Sequence, residues 1–322
     1  MASKSAVSIW RRQTGWFILG MRPLPQWREV GPASRLHRGR RTDTYVPETL
    51  RWVGRLLAGP VLIVSLVLGS DLVTLHFDFI ASAGPAEDQG LAIMKEQERV
   101  NSGYRDEIGR YKMTLVNANG DRTERIMERR TLEGVKEGDK ILVVFQAPPD
   151  INGTALLTHQ HKAGDDDQWL YLPGLRRIKR IASSTRSNSF VGSEYTYEDL
   201  TPLELTKYTF RYLRDETIDG VALWVVETVP RFKDSAYSRS EVFIRKDNHQ
   251  TIRINFYERK GALLKVGRFD GWTKVDGKWW RARIGRIENA QTKRSTSLET
   301  LDLKIGAGLS RGDFTTQALE RQ

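Results

Sequence analysis

The chain contains no cysteine among its 322 residues. This absence excludes disulfide bonds and cysteine-ligated metal sites. It also excludes attachment of lipid to a cysteine, so the chain is not itself an acylated lipoprotein.

Acidic residues are in deficit, with 40 Asp and Glu against 51 Lys and Arg, which gives a formal net charge of +11. Residues 1–83 hold 11 basic and 5 acidic residues, a net of +6, so over half of the excess charge lies in a quarter of the chain. The remaining residues are only mildly basic, and no known nucleic-acid-binding motif is present. We therefore expect no nucleic-acid partner.

The sequence also lacks the features of an enzyme site. Residues 308–312 match G-x-S-x-G, but a nucleophile elbow needs a later histidine, and the last one is His249. His159 and His161 precede the acidic run 165–167. This spacing is too loose to indicate a metal site, and we interpret these residues as a solvated strand end followed by an acidic turn. We predict no catalytic residues, no metal and no cofactor.

An apolar run at residues 56–69 has the length of a signal-peptide core and is short for a membrane span. Arg51 and Arg55 precede it, and the small residues 81–83 (Ala-Ser-Ala) fit a signal peptidase site. We predict a signal peptide at 51–83 and a periplasmic product. The alternatives are an uncleaved inner-membrane anchor facing the periplasm and a buried helix of a cytosolic protein.

The two parts that flank this segment differ in character. Residues 1–50 are rich in arginine, have no hydrophobic period, and indicate disorder or an over-extended gene start. Residues 84–322 have the length of a single domain with a sizeable core. Within them, 87–100 fits a short amphipathic helix, and 314–321 a small closing one.

Between these helices the hydrophobic period is two, with turn residues between the runs. Such strands, mostly joined by short turns, predict a mainly β chain with a few helices. The sheet should be antiparallel and should curl or close. The absence of β-α-β alternation argues against a Rossmann-type or hydrolase sheet.

Residues 165–200 carry the most informative pattern. Trp169 and Tyr171 alternate with Leu170 and Leu172, so both faces of this predicted strand are apolar. A strand of this kind is covered on both sides, here by a lumen or ligand on one side and by packing on the other. A Pro-Gly turn and a basic stretch follow.

Several motifs of the region together resemble one family. They are W-x-Y-x-P (169–173), RR-I-x-R-I (176–181), SF-x-GS (189–193) and Y-x-Y-x-D-L (195–200), followed by the paired tryptophans of 277–281 and by Asp313, Phe314 and Leu319 near the end. This set resembles the LolA-like family of outer-membrane lipoprotein-sorting proteins, and the resemblance covers roughly 87–322.

The resemblance implies a strongly curved, half-open antiparallel β-barrel with a helical plug on its concave face. It implies a periplasmic carrier that holds lipid or lipoprotein acyl chains in an apolar cavity. Such a carrier moves them between inner and outer membrane, with transient membrane contact and an inner-membrane transporter of the resistance-nodulation-division (RND) type. The alternative is an envelope sensor or regulator on the same scaffold that binds lipid or unfolded peptide.

Two groups of side chains are candidates for these contacts. Basic residues of the predicted hairpin could meet an anionic headgroup or a partner protein, or be merely solvated: Arg176, Arg177, Lys179 and Arg180. Apolar residues of the predicted strands and loops could line the cavity, with ordinary core packing as the alternative: Trp169, Tyr171, Leu172, Phe190, Tyr195, Trp224, Phe256 and Trp280.

The predicted export is open to a direct test. N-terminal sequencing of protein recovered from the periplasm should begin at or near Gly84, because a signal peptidase cuts after small-x-small motifs. A version that starts at Val53, recoded as methionine, should be exported equally well. A full-length product confined to the cytosol would contradict the prediction.

Overall fold

The computed structural model describes residues 63–68, 71–76 and 84–321. The first two ranges are antiparallel strands that pair as a hairpin, β1 (Ile63–Leu68) and β2 (Asp71–His76). This hairpin lies inside the predicted signal segment. The rest of that segment and the predicted extension 1–50 lie outside the described residues, so both remain predictions.

Within 84–321 the chain is mainly β, with α-helices α1 (Pro85–Asn101) and α2 (Thr316–Leu319) and short 3-10 helices. No helix among the described residues has both the length and the apolar character needed to cross a membrane. The strands of this range are β3 (Asp106–Val116), β4 (Arg122–Leu132), β5 (Lys140–Ala147), β6 (Ala155–His159), β7 (Asp167–Leu172), β8 (Arg177–Ile181), β9 (Tyr208–Ile218), β10 (Val221–Pro230), β11 (Arg239–Arg245), β12 (Thr251–Tyr257), β13 (Leu263–Asp270), β14 (Thr273–Val275), β15 (Trp279–Arg281), β16 (Ile284–Asn289) and β17 (Ser295–Ile305).

Thirteen strands of the described range 84–321 form one antiparallel sheet in the order β8-β7-β6-β5-β4-β3-β17-β16-β13-β12-β11-β10-β9. The first meander comprises β3 to β8, and the second comprises β9 to β13 with β16 and β17. The last strand, β17, pairs with β3 and joins the two meanders, while β14 and β15 form a separate small hairpin. The predicted mainly β, antiparallel fold with few helices is confirmed.

The register assigns the side chains of the sheet to two faces, because residues paired directly across antiparallel strands point to the same side. One face can be followed from the first meander to the second. It joins the buried cluster around Met113 to the buried cluster around Val226. The pairs that connect them are Met113–Leu298, Leu298–Gly285, Gly285–Phe269, Gly267–Ile254, Ile254–Val242 and Val242–Val226.

Helix α1 covers the second meander on this face. It begins with Pro85, whose fixed φ suits the first turn of a helix. Its buried side includes Ile93 and Met94, which pack in the cluster of β9 to β11. A Cβ on Gly90 would lie 2.7 Å from the amide nitrogen of Tyr212, so glycine allows the helix to approach β9 closely.

Residues 182–207 connect β8 to β9, the two edge strands, so this segment has to cross a face of the sheet. The Phe190 ring stacks on Phe145 of β5, with centroids 5.6 Å apart. The Glu194 amide donates to Oγ1 of Thr296 on β17 at 3.0 Å. We call residues 182–207 the crossing segment, and the face on which it and α1 lie the crossover face.

A buried ion pair fixes the crossing segment to β13. Nζ of Lys265 lies 2.6 Å from Oδ2 of Asp199, and the two side chains are 3% and 7% exposed. Lys265 also donates to the Glu194 carbonyl, and the Tyr237 hydroxyl donates to Asp199 at 2.7 Å. Burial raises the pKa of Tyr237 well above its ordinary value, so Tyr237 keeps its proton for this bond.

Side chains also link the two ends of the sheet. Asp166 immediately precedes β7, and Lys207 immediately precedes β9, the opposite edge strand. Their Oδ1 and Nζ atoms lie 2.5 Å apart. Nearby, Nε2 of Gln160 donates to the Pro202 carbonyl at 2.8 Å. Strands at opposite ends of the order are therefore close together at this point.

The buried ion pair generates a stability prediction. Lys265→Met should lower the free energy of unfolding by about 3–5 kcal/mol, because it leaves the Asp199 carboxylate buried without its cation. Lys265→Met combined with Asp199→Leu should cost clearly less than the sum of the single changes. Denaturant unfolding of the three variants measures this coupling, and additive losses would contradict it.

Candidate functional site

Apolar side chains that are only half-buried lie on the crossover face, on strands from β10 to β17. Glycines 109, 267 and 285 occupy the same face, and they carry no side chain that could cover these neighbours. Apart from the buried Lys265–Asp199 pair, this middle part of the face is thus apolar and only half-buried. The half-buried side chains are Trp224, Ile254, Phe256, Phe269 and Leu298.

Aromatic rings lie directly against the glycines of this region. A Cβ on Gly267 would be 3.5 Å from the rings of both Phe256 and Phe269. A Cβ on Gly285 would be 3.3 Å from the Phe269 ring and 3.5 Å from the hydroxyl of Tyr195, which donates to the Gly285 carbonyl. The glycines therefore let the rings approach the backbone, and together they form an aromatic floor.

A cavity of about 380 Å³ adjoins this floor. It lies among the turn between β11 and β12, the end of β13, and β15. Phe269 belongs to both floor and cavity, while the other lining residues lie outside the floor. The cavity volume lies in the range of small-molecule sites, and its lining is about half polar. Its apolar lining residues are Ile252, Phe269, Trp272 and Trp280, with Arg245 and Asp247 among the polar ones.

The predicted ligand-binding residues divide between the two faces. Phe190 is almost fully buried and serves as core, whereas Trp280 lines the cavity. Trp224 packs beside the cluster under α1, with its ring 5.3 Å from that of His249. Those that lie on the crossover face or in the crossing segment above it are Leu172, Phe190, Tyr195, Trp224 and Phe256.

Trp169 and Tyr171 lie on the opposite face. They pack in a cluster with Phe314 and Leu319 of the C-terminal segment, while Leu170 between them packs on the crossover face. The predicted strand is indeed apolar on both sides, and protein covers both. The eight predicted ligand-binding residues consequently do not form one site.

The basic residues of 176–180 lie on the β7–β8 hairpin at the edge of the sheet, and all four are exposed. Arg180 pairs with Asp167. The other three, Arg176, Arg177 and Lys179, form no ion pair among the described residues. Leu175 at the turn is 70% exposed. The hairpin thus presents an apolar tip surrounded by positive charge.

Polar motifs elsewhere make structural contacts. Oγ of Ser310, in the G-x-S-x-G match, donates to Asp313 at 2.9 Å and caps a short 3-10 helix. Nε2 of His159 lies 2.7 Å from the Phe314 carbonyl, and burial lowers the pKa of this imidazole. The His159 contact holds the C-terminal segment against β6, and the Ser310 bond is local to that segment.

Sequence reasoning did not single out Phe269, Trp272 or Ile252. The available signal was the alternation after Lys265, where Gly267 and Phe269 alternate with exposed charged residues. That alternation indicates a half-buried strand, but it does not tell which face meets a ligand.

Comparisons with known proteins agree with this architecture. A family model described as an uncharacterized protein matches residues 137–321. An outer membrane lipoprotein-sorting protein domain from Vibrio parahaemolyticus is 41% identical, with a TM-score of 0.72 over 73% of this chain and 100% of that one. A protein of a family of unknown function from Desulfovibrio piger is 27% identical, with a TM-score of 0.69 over 73% and 99%.

A LolA superfamily protein from Nitrosomonas europaea shares the fold, with 19% identity and a TM-score of 0.57 over 71% of this chain and 98% of that one. No curated protein matches the chain. None of these solved structures is described by an enzymatic activity. The identity and full coverage of the lipoprotein-sorting domain establish the kinship. The chain therefore belongs to the family of outer-membrane lipoprotein-sorting proteins, and it has the fold of the LolA superfamily protein.

Proposed function

We propose that this protein is a periplasmic carrier that binds lipid or lipoprotein acyl chains on its crossover face and moves them between inner and outer membrane. The observation that carries the proposal is the half-buried aromatic floor, which shares Phe269 with a cavity of about 380 Å³. Burial of an acyl chain gains roughly 0.8 kcal/mol per CH₂ and needs no polar partner. The lipoprotein-sorting relative supports the same class of cargo.

The same proposal includes a strongly curved, half-open barrel. Neighbouring strands lie about 4.8 Å apart, so β7 and β9, eleven positions apart in the order, would be roughly 50 Å apart in a flat sheet. The ion pair between Asp166 and Lys207 joins residues next to these strands. A curved sheet accounts for this contact, with the crossover face as its concave side.

In this arrangement α1 and the crossing segment act as the helical plug. Helix α1 packs on the second meander, whereas the crossing segment packs on the first meander and is also fixed to β13 and β17. Water excluded from the aromatic floor by an acyl chain provides the driving force for binding. The two covers would limit the size of the bound cargo.

The remaining part of the proposal concerns docking. The exposed Leu175 and the basic side chains around it suit transient contact with an anionic membrane surface. Kinship with the family supports an inner-membrane RND-type transporter as the partner that loads or unloads the protein.

The acyl site can be tested by fluorescence titration of delipidated protein with an acyl probe. Phe269→Asp should abolish measurable binding, because an unpaired carboxylate beside hydrocarbon is costly. Trp280→Ala should weaken binding about tenfold through lost apolar contact. Both proteins should keep their β-sheet circular dichroism.

Trp169→Ala provides the matched control, since this ring packs on the opposite face. It should cost about 2–3 kcal/mol of stability, below the range for a fully buried tryptophan. Its folded form should bind the probe with unchanged affinity. Weakened binding by Trp169→Ala, with normal binding by the other two variants, would move the site to the C-terminal segment and overturn the proposed location.

The docking hairpin has its own test. Arg176→Glu combined with Arg177→Glu should reduce co-sedimentation with vesicles containing anionic phospholipid, most strongly at low salt, where screening is weakest. Melting temperature should change little, since exposed charges contribute little to stability. Arg110→Glu, an exposed residue of β3, is the control. Equal loss in both proteins would indicate a nonspecific charge effect and argue against the hairpin.

A further inference from the structure

Arg129 is an unusual cation on the crossover face. It pairs in the register with Gly109 of β3 and with Val143 of β5. Its neighbours Met127 and Val143 are each 2% exposed, so its aliphatic stem lies over apolar core. The Nε atom is buried and has no hydrogen-bond partner. A buried guanidinium donor without a partner is costly, and few native groups are left in that state.

A second arginine of the same strand shows the contrast. Arg125 lies four residues earlier on the same face, and its Nη1 donates to the Val191 carbonyl at 2.7 Å. The crossing segment therefore satisfies Arg125. Among the described residues, no corresponding acceptor or ion-pair partner faces Arg129.

The carboxylates near Arg129 are engaged by other donors. Glu107 accepts from Nε of Arg281 at 2.6 Å. Asp139 accepts from the Gly134 amide at 2.9 Å and from the Tyr104 hydroxyl. Burial raises the pKa of Asp139, and the Arg129 guanidinium opposes this, so the two groups are within electrostatic reach. Neither carboxylate is bonded to Arg129.

The surroundings of Arg129 are otherwise aromatic. The hydroxyl of Tyr111 lies above Gly109, where a Cβ would be only 2.5 Å away. Burial raises the pKa of Tyr111 to about 12, so it remains a neutral hydrogen-bond donor. A guanidinium and a phenol therefore lie within electrostatic reach of each other, and Glu107, the carboxylate close to the phenol, is paired with Arg281. This combination suits an oxyanion.

We propose that Arg129 binds the anionic group, a carboxylate or a phosphate, of the acyl-bearing ligand. The inference rests on the proposed carrier function and specifies the ligand class. From β4 to β13 there are four strand positions, about 19 Å, which is comparable to an extended long acyl chain. An acyl chain whose headgroup lies at Arg129 is therefore long enough to reach the aromatic floor.

Matched ligands with and without the charge test this. In each pair, both ligands compete with the acyl probe for the delipidated protein. The first pair is palmitic acid and its methyl ester, and the second is lysophosphatidic acid and the corresponding monoacylglycerol. Unaltered protein should bind at least one anionic member tenfold or more tightly than its neutral counterpart. The pair with the larger ratio of anionic to neutral affinity shows whether the bound group is a carboxylate or a phosphate.

Arg129→Met should remove this preference while leaving the affinity for the neutral ligand unchanged. Its melting temperature should be equal or higher, because an unpaired buried donor is lost. Arg129→Lys, which keeps the charge without the bidentate fork, should retain only part of the preference, and it answers the question if Arg129→Met fails to fold. Arg110→Met, on the opposite face of β3, should behave like the unaltered protein.

The outcomes separate the two claims. If the unaltered protein binds neither member of either pair, the carrier function and this inference are refuted together. Equal binding of charged and neutral ligands refutes the role of Arg129 alone. The role of Arg129 is also refuted if Arg129→Met keeps the preference for the anionic ligand, or if Arg129→Lys keeps it without any reduction.

Discussion

The connection between the two edges of the sheet is the constraint on which the rest of the structure depends. Residues 182–207 must cross from β8 to β9, and a buried segment has to satisfy its own polar groups. The Asp199–Lys265 pair supplies a partner for a buried carboxylate of the segment. It also fixes the segment in position, because a displaced segment would leave two charges buried without partners. An apolar contact alone would tolerate sliding.

Much of the fold follows from patterns that depend on neighbouring residues only. Period-two runs with turn residues predicted the antiparallel sheet, and the helix expected at 87–100 is present as α1, at 85–101. The run 279–289 forms two strands, β15 and β16, because the Arg283 amide donates to the Asp270 carbonyl and the Arg283 carbonyl accepts from the Thr300 amide. Contacts that interrupt a strand in this way come from distant residues, which a local pattern does not contain.

The site was less predictable for a related reason. Alternation at 169–172 correctly indicated two apolar faces, but both sides of β7 are apolar, so composition could not tell the crossover face from the opposite one. The register with β17, β16 and β13 makes that assignment, and it brings Phe269 and Gly285 together from different strands. A role for Arg129 is harder still to predict from the sequence. It depends on whether Glu107 and Asp139 already accept hydrogen bonds from other donors.

A carrier has to bind its cargo and also release it, and the two parts of the crossover face contribute differently to this balance. Contact with an aromatic floor grows with chain length and discriminates little between lipids. A cation with a buried, unpaired nitrogen would add selectivity, because an anionic ligand would compensate its burial. On the proposed function, cargo that accepts a hydrogen bond from Nε of Arg129 would offset the cost of this unpaired donor, and its binding would stabilise the fold by linkage.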